Sequence, residues 1–299
     1  MSLTIGLVGV GPWGRHILRD LLSLGATVHA VARSPESVAR ARDGGAATVT
    51  DHPERLPPCD GYVVAVRTVS HLDVIDHLLP RGRPIFCEKP LSPDLSRVEA
   101  LPAAARDLVF TMHKWRYHPG VLELARIARD GDLGAVTGLR TFRTGWSDNH
   151  PDTIPFWNLA PHDMSIALEI LGEVPEPMTA FAEASDDPGR GAVAWCRSTS
   201  GVPFTFEVSA RHPVNLRRVV LRCEHGACAL DSSDYGVVTV RSEGEAATQV
   251  RVADTMPLLA ELEAFLIHLR GGPPPHTPFA EEIAVLRALT RTLELARGT

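Results

Sequence analysis

Five cysteines in 299 residues are too few and too scattered to build a disulfide framework. They stand at Cys59, Cys87, Cys196, Cys223 and Cys228, an odd number, and are read as buried free thiols of a cytosolic protein. Cys223 and Cys228 flank His225, but that spacing matches no common zinc pattern, so no metal site is expected. No apolar run approaches the roughly 18 residues of a membrane helix. Nor is there a block of basic residues: 30 Lys and Arg face 36 Asp and Glu, for a net charge of -6. Neither nucleic acid nor membrane is therefore an expected partner. Repeats and low-complexity tails are missing as well. No charged segment precedes Leu3, Ile5, Leu7 and Val8, so this opening is read as a first strand rather than a signal peptide, and the protein as cytoplasmic.

The sequence is 44% hydrophobic and long enough for two domains, each with its own core. Its first third alternates short apolar strands (residues 3–9, 27–32, 62–66, 84–87 and 108–112) with segments long enough for crossover helices (14–24 and 71–79). Near-continuous apolar strands suit a parallel sheet covered on both faces, and the alternation predicts a doubly wound α/β domain over residues 1–116. After residue 116 the pattern changes. One amphipathic helix carries Val121, Leu122, Leu124, Ala125 and Ala128, and strands of period two then dominate. Phe204, Phe206, Val208 and Ala210 alternate with Thr205, Glu207 and Ser209, and residues 192–196, 217–222 and 237–241 behave alike. An α+β domain with a large, mainly antiparallel open sheet is expected over residues 117–299. Two helices separated by Pro273-Pro274-Pro275 close it; the last keeps Ile283, Leu286, Leu289, Leu293 and Ala296 on one stripe.

The first strand runs into Gly9-Val10-Gly11-Pro12-Trp13-Gly14, a G-x-G-x-x-G turn that opens a helix. Gly9 permits the tight turn, Gly11 lets backbone approach a pyrophosphate, and Gly14 lets the helix pack closely on the strand. The helix amides then face the phosphates, so a Rossmann domain binding a nicotinamide dinucleotide is predicted. Where NAD binders usually place an acid, at the end of the second strand, this chain has Ala32-Arg33-Ser34. A guanidinium and a hydroxyl suit a 2′-phosphate, so NADP(H) is expected over NAD(H).

At the end of the strand over 84–87 stands Phe86-Cys87-Glu88-Lys89-Pro90-Leu91, with His71 and the turn Arg81-Gly82-Arg83 upstream. Lys114-Trp115-Arg116-Tyr117-His118-Pro119, Gly131-Asp132-Leu133-Gly134 and the segment from His162-Asp163-Met164 to Leu171-Gly172 follow in order. This series resembles the Gfo/Idh/MocA family, named for glucose–fructose oxidoreductase and inositol dehydrogenase. The resemblance implies a second domain whose sheet covers the nicotinamide, and hydride transfer at a secondary alcohol or ketone of a sugar or cyclitol. It marks Val66, Arg67, His71, Glu88, Lys89 and Pro90 as cofactor-binding beside Gly9, Gly11, Pro12, Trp13, Gly14, Arg33 and Ser34. Lys89, His162 and Asn158 are the expected catalytic residues, and Trp115 and Arg116 join them against substrate.

The residues are suited to that chemistry. A lysine at the carboxyl end of a parallel strand can hydrogen-bond the substrate oxygen and stabilise charge developing there. Glu88 is placed to orient it. Imidazole exchanges a hydroxyl proton near neutral pH, which suits His162. Pro161 places the helix start just before His162. Two departures stand out. Asn158 occupies the place where many active family members carry aspartate, and an amide cannot stabilise an imidazolium by charge. Val66-Arg67-Thr68 replaces the common Thr-Pro, leaving Arg67 to meet the pyrophosphate, an anionic substrate or solvent. An oxidoreductase acting on a carbohydrate-like alcohol or ketone is the leading reading, with Asn158 pointing toward ketone reduction; a non-catalytic dinucleotide-binding regulator and an imine-type reductase are the alternatives. A homodimer or homotetramer is expected, because open sheets of this architecture often pair face to face.

Overall fold

The computed structural model describes residues 2–146, 153–184, 189–231 and 236–298. The chain begins β1 (Thr4–Val8), α1 (Gly14–Ser23), β2 (Thr27–Val31), α2 (Pro35–Asp43), β3 (Thr48–Thr50), β4 (Gly61–Val64), α3 (His71–Leu78) and β5 (Ile85–Glu88). It continues α4 (Leu95–Glu99), α5 (Ala103–Leu108), β6 (Val109–Met112), α6 (Pro119–Asp130), β7 (Val136–Trp146) and α7 (Pro155–Leu171). Then come β8 (Glu176–Ala182), β9 (Gly191–Arg197), β10 (Pro203–Ser209), β11 (Arg211–Cys223), β12 (Gly226–Asp231), β13 (Val237–Ser242) and β14 (Thr248–Arg251). Helices α8 (Pro257–Leu269) and α9 (Phe279–Arg297) end the described chain.

Two compact units result: Met1–Lys114 with Met256–Ile283, and Trp115–Thr255 with Ala284–Thr299. One expectation is corrected here. Residues 256–283, assigned from sequence to the C-terminal domain, belong with the first unit. The reason is apolar packing: Leu258, Leu262, Phe265 and Leu266 of α8 share one core with Ile17, Leu18 and Leu21 of α1. Phe265 also stacks on Phe86 of β5 at 5.0 Å between ring centroids.

In the first unit six parallel strands lie in the order β3-β2-β1-β4-β5-β6. The strand order reverses between β1 and β4, which is where such sheets bind ligands beyond their carboxyl ends. The four residues of β4 are all buried, and Ile5 to Val8 of β1 are too, as a sheet covered on both faces requires. The sequence pattern missed β3 and α2. One is three residues long with no buried position, and the other buries only Ala41. Neither carries enough apolar periodicity to read.

The second unit holds eight strands in the order β14-β13-β12-β11-β7-β10-β9-β8. All neighbours are antiparallel except β10 and β7, which pair in parallel from Phe204 beside Leu139 to Ser209 beside Thr144. One face is apolar and covered: Ala180, Ala192, Ala194, Cys196, Phe204, Phe206, Val208, Leu139, Val219, Leu221 and Leu230 are all buried. Helices α6 and α7 pack in this unit against its strands. The opposite face runs Phe181–Val193–Glu207–Phe142–Arg218–Asp231 across six strands, with Trp195, Thr205, Arg140 and Val220 in the next row. There Phe181 is 56% and Val193 45% exposed.

Candidate functional site

The candidate residues fall in both units, and each unit is described by itself. In the first, β1 delivers the chain to Gly9, whose φ of +101° lies in the left-handed region that favours glycine. A Cβ at Gly9 would lie 2.5 Å from the Ala65 carbonyl oxygen, and one at Gly14 would collide with the Gly9 carbonyl oxygen. Gly11 differs: a Cβ there would meet nothing within 4 Å. Two glycines thus lock the turn against β4 and α1, and the middle one faces open space. Trp13, at the α1 N-cap, makes no side-chain capping bond, and the first turn of that helix holds no acid. This is the form a pyrophosphate cradle takes, so the residues present fit a dinucleotide. Arg40 of α2 donates to the Val10 carbonyl oxygen at 3.3 Å and steadies the turn from the side.

Pro12 and Trp13 are exposed. The Trp13 indole N–H donates to Glu88 Oε1, and the Lys114 ammonium lies 4.3 Å above its ring. Glu88 Oε2 accepts the Lys89 backbone N–H at 3.2 Å. Glu88 therefore ties the glycine turn to the Glu-Lys-Pro turn through Trp13, which the sequence reading did not foresee. Lys89 follows the last residue of β5 and is half-buried, and the Lys89–Pro90 peptide is cis.

His71 is a correction. It was expected against the cofactor, but it is 1% exposed. Its Nδ1 lies 3.0 Å from the Pro90 carbonyl oxygen and its Nε2 3.2 Å from that of Val66. With both nitrogens turned to backbone, the ring joins the β4 exit to the Pro90 turn. Val66 is half-buried and Arg67 exposed.

Arg33 and Ser34 lie exposed at the end of β2. Arg33 Nε donates to the Asp51 carbonyl oxygen at 3.1 Å. Arg33, Asp51, His52, Glu54 and Arg55 line one cavity, in which the Asp51 carboxylate is paired with Arg55 at 2.8 Å. Ser34 Oγ caps α2 by accepting the Ser37 N–H at 3.2 Å.

In the second unit Asn158 and His162 share α7, four residues apart and half-buried, so they lie on one face. The expected helix start near Pro161 is corrected: α7 begins at Pro155, and Pro161 lies inside it. Proline's fixed φ makes either position readable as a first turn, and Pro155 takes that role. Trp115 lies edge-on to His162 at 6.5 Å and stacks on His118 at 5.0 Å. The Arg143 guanidinium sits 4.6 Å over the Trp115 ring and donates to Asp163 Oδ2 at 2.7 Å. Burial holds the Asp163 carboxyl above the usual carboxylate range despite the opposing pull of Arg143. Arg116, expected against substrate, is instead 7% exposed and pairs with Glu169 at 2.8 Å, bracing α7. Sequence reasoning did not single out Arg143, His118 or Glu169. Arg143 was concealed because it interrupts an otherwise apolar buried face, where no pattern predicts a charge.

The five cysteines are all buried and free. Burial pushes the Cys59 thiol up to about 11 and those of Cys196 and Cys228 to about 12, so all three stay protonated near neutral pH. No described helix is long and apolar enough to cross a membrane.

A glycine turn at the switch point of a 3-2-1-4-5-6 sheet defines the first unit as a Rossmann dinucleotide-binding unit. Residues 3–112 match the model of the GFO_IDH_MocA oxidoreductase family, NAD-binding Rossmann fold. Among curated relatives, "Inositol 2-dehydrogenase 2" of Saccharopolyspora erythraea is 30% identical over 207 residues, 65% of this chain and 60% of its own. "Inositol 2-dehydrogenase" of Rhizobium meliloti is 27% identical over 64% of this chain and 62% of its own. The chain thus spans about 60% of the length of these relatives. Among solved structures, UDP-N-acetylglucosamine 3-dehydrogenase GnnA from Acidithiobacillus ferrooxidans matches with a TM-score of 0.87 at 21% identity, over 100% of this chain and 99% of its own. Levoglucosan dehydrogenase in complex with NADH and levoglucosan matches with 0.87 at 16%, over 100% and 98%. At such identities the structural likeness is one of fold. The likeness to the Gfo/Idh/MocA family is carried by residues 3–112, the Rossmann part of the chain.

The buried His71 yields a pH prediction. Burial lowers its imidazole below the ordinary histidine value, against hydrogen bonds that raise it. In the unfolded chain the ring titrates near about 6.5. Below that pH the unfolded chain binds a proton that the folded chain refuses. Stability is therefore lost as pH falls from there through the lowered folded value. His71→Asn should be about 1–3 kcal/mol less stable at neutral pH and should lose less on acidification than the native protein. Urea titrations at several pH values check this, and parallel stability curves for the two proteins would disprove it.

Proposed function

We propose that the protein is an NAD(P)-dependent oxidoreductase transferring a hydride between nicotinamide and a secondary alcohol or ketone of a sugar, sugar derivative or cyclitol. The observation that carries this reading is a locked glycine turn tied through Trp13 and Glu88 to a lysine at the end of β5. The likeness to the inositol 2-dehydrogenases supports the substrate class. When bound, the nicotinamide ring takes or returns the hydride. Lys89 donates a hydrogen bond to the substrate oxygen, where negative charge develops. His162 takes the hydroxyl proton in oxidation and returns it to the ketone oxygen in reduction. Asn158 orients substrate by hydrogen bonds from the same face of α7. Because its amide gives no charge support to an imidazolium, ketone reduction is the favoured direction.

NADP(H) is the proposed dinucleotide. Support comes from Arg33 and Ser34 following β2, in the place where NAD binders usually carry an acid; the cavity beside Arg33 holds acids as well as bases, Asp51 and Glu54 with His52 and Arg55. The proposed assembly is a homodimer or homotetramer, and a second copy of this chain is the proposed occupant of the open sheet face. That face carries Phe181, Val193, Trp195 and Phe142 together with Arg140, Glu207 and the Arg218–Asp231 pair, charges of both signs that suit self-association. The protein is read as cytoplasmic.

The central test is turnover of NADPH and NADH against sugars, cyclitols and their keto forms, in both directions. Lys89→Ala should lower kcat by about 100-fold or more while dinucleotide binding persists. Binding without turnover across the panel would favour a regulator instead, and turnover of imines alone would favour an imine-type reductase. Arg33→Ala should weaken NADPH binding by about tenfold or more and leave NADH nearly unchanged. Equal loss for both dinucleotides, or no native preference for NADPH, would reject that assignment. Trp195→Glu should shift the sedimentation coefficient toward the monomer; an unchanged oligomer would exclude the sheet face as the interface.

A further inference from the structure

We propose that Glu282 is a positioning residue for Lys89, acting on the backbone of the Glu-Lys-Pro turn from about 190 residues downstream in the chain. The proposal rests on the reading that Lys89 hydrogen-bonds the substrate oxygen. Glu282 stands in the first turn of α9, within the same unit as the turn it holds. Its Oε1 accepts the Leu91 backbone N–H at 3.1 Å. Its Oε2 lies 2.7 Å from Nε2 of His113, the residue that follows β6. The two side chains are 0% and 1% exposed, and Leu91 is fully buried.

Burying a carboxylate is unfavourable, and an apolar residue would fill the same space with less desolvation. That expense is met by fixed geometry here. One oxygen holds the turn, and the other is held by the neighbouring strand end. The Pro90 carbonyl, one residue earlier, is taken by His71. The single peptide group between Pro90 and Leu91, just after Lys89, is thereby gripped at both ends, its carbonyl by His71 of α3 and its N–H by Glu282 of α9. The lysine itself leaves from a backbone that has little freedom to shift. A displacement of about 1 Å at a reacting group can cost on the order of 100-fold in rate, so such a clamp bears directly on turnover.

The test compares Glu282→Ala, Glu282→Gln, Lys89→Ala and the double variant Lys89→Ala with Glu282→Ala. Glu282→Ala should lower kcat by about 10- to 100-fold while KM and dinucleotide Kd stay within about threefold. Glu282→Gln keeps an acceptor for the Leu91 N–H and should recover part of the loss. The double variant should fall no further than Lys89→Ala alone, because both changes act on one group. Multiplicative losses in the double variant, or a fall in dinucleotide affinity matching that in kcat, would overturn the proposal. A second readout is independent of turnover. Hydrogen exchange at the Leu91 amide should accelerate in Glu282→Ala while the β5 amides keep their protection. Unchanged exchange there overturns the clamp even if the oxidoreductase reading holds. A native protein without turnover sinks that reading and the role given to Lys89, while the exchange measurement still judges the clamp. If Glu282→Ala does not fold, Glu282→Gln carries both measurements against the native protein: intermediate kcat and exchange are expected, and native values for both would overturn the proposal.

Discussion

The first unit depends on one steric constraint, the absence of side-chain atoms where the glycine turn meets β4 and α1. Gly9 sits against the Ala65 carbonyl and Gly14 against the Gly9 carbonyl, so any side chain would push helix and strand apart. With them closed, α1 follows β1 across the turn, and its N-cap residue Trp13 makes no side-chain capping bond. Gly11 alone faces open space. The rest of the candidate site in this unit is referred to that fixed point: Trp13 reaches Glu88, Glu88 holds the Lys89 amide, and Arg40 holds Val10.

Around that anchor, polar groups hold the loops that carry function. His71, Glu282 and Glu88 bond backbone atoms of the turns between strands and helices. Each is a residue whose burial is unfavourable without a partner, so each imposes one loop geometry. The second unit uses the same device. Arg143 and Asp163 pair at 6% and 1% side-chain exposure beneath Trp115, fixing the ring that lies edge-on to His162. Arg116 and Glu169 join the entry segment to α7.

Sheet type and helix positions were legible because they follow from periodicity. The strands over 3–9 and 204–210 show near-continuous and alternating apolar patterns; the first forms parallel ladders on both sides, and the second lies in a mainly antiparallel sheet, antiparallel to β9 and parallel to β7. Short or polar elements were not legible: β3 and α2 bury almost nothing. The start of α7 was misread because Pro155 and Pro161 are equal signals locally, and only packing of Phe156 and Trp157 into the core chooses the earlier one.

The linear sequence by itself determined the glycine turn and the Glu-Lys-Pro turn, because each is a local matter of backbone freedom, whereas the start of α7 at Pro155, which puts Asn158 on one helix with His162, came from the structure. Tertiary structure alone decided that residues 256–283 complete the first unit, that His71 and Arg116 are braces, and that Glu282 reaches Leu91. These facts depend on burial and on partners distant in the chain, and no local pattern encodes which buried charge will meet which backbone group.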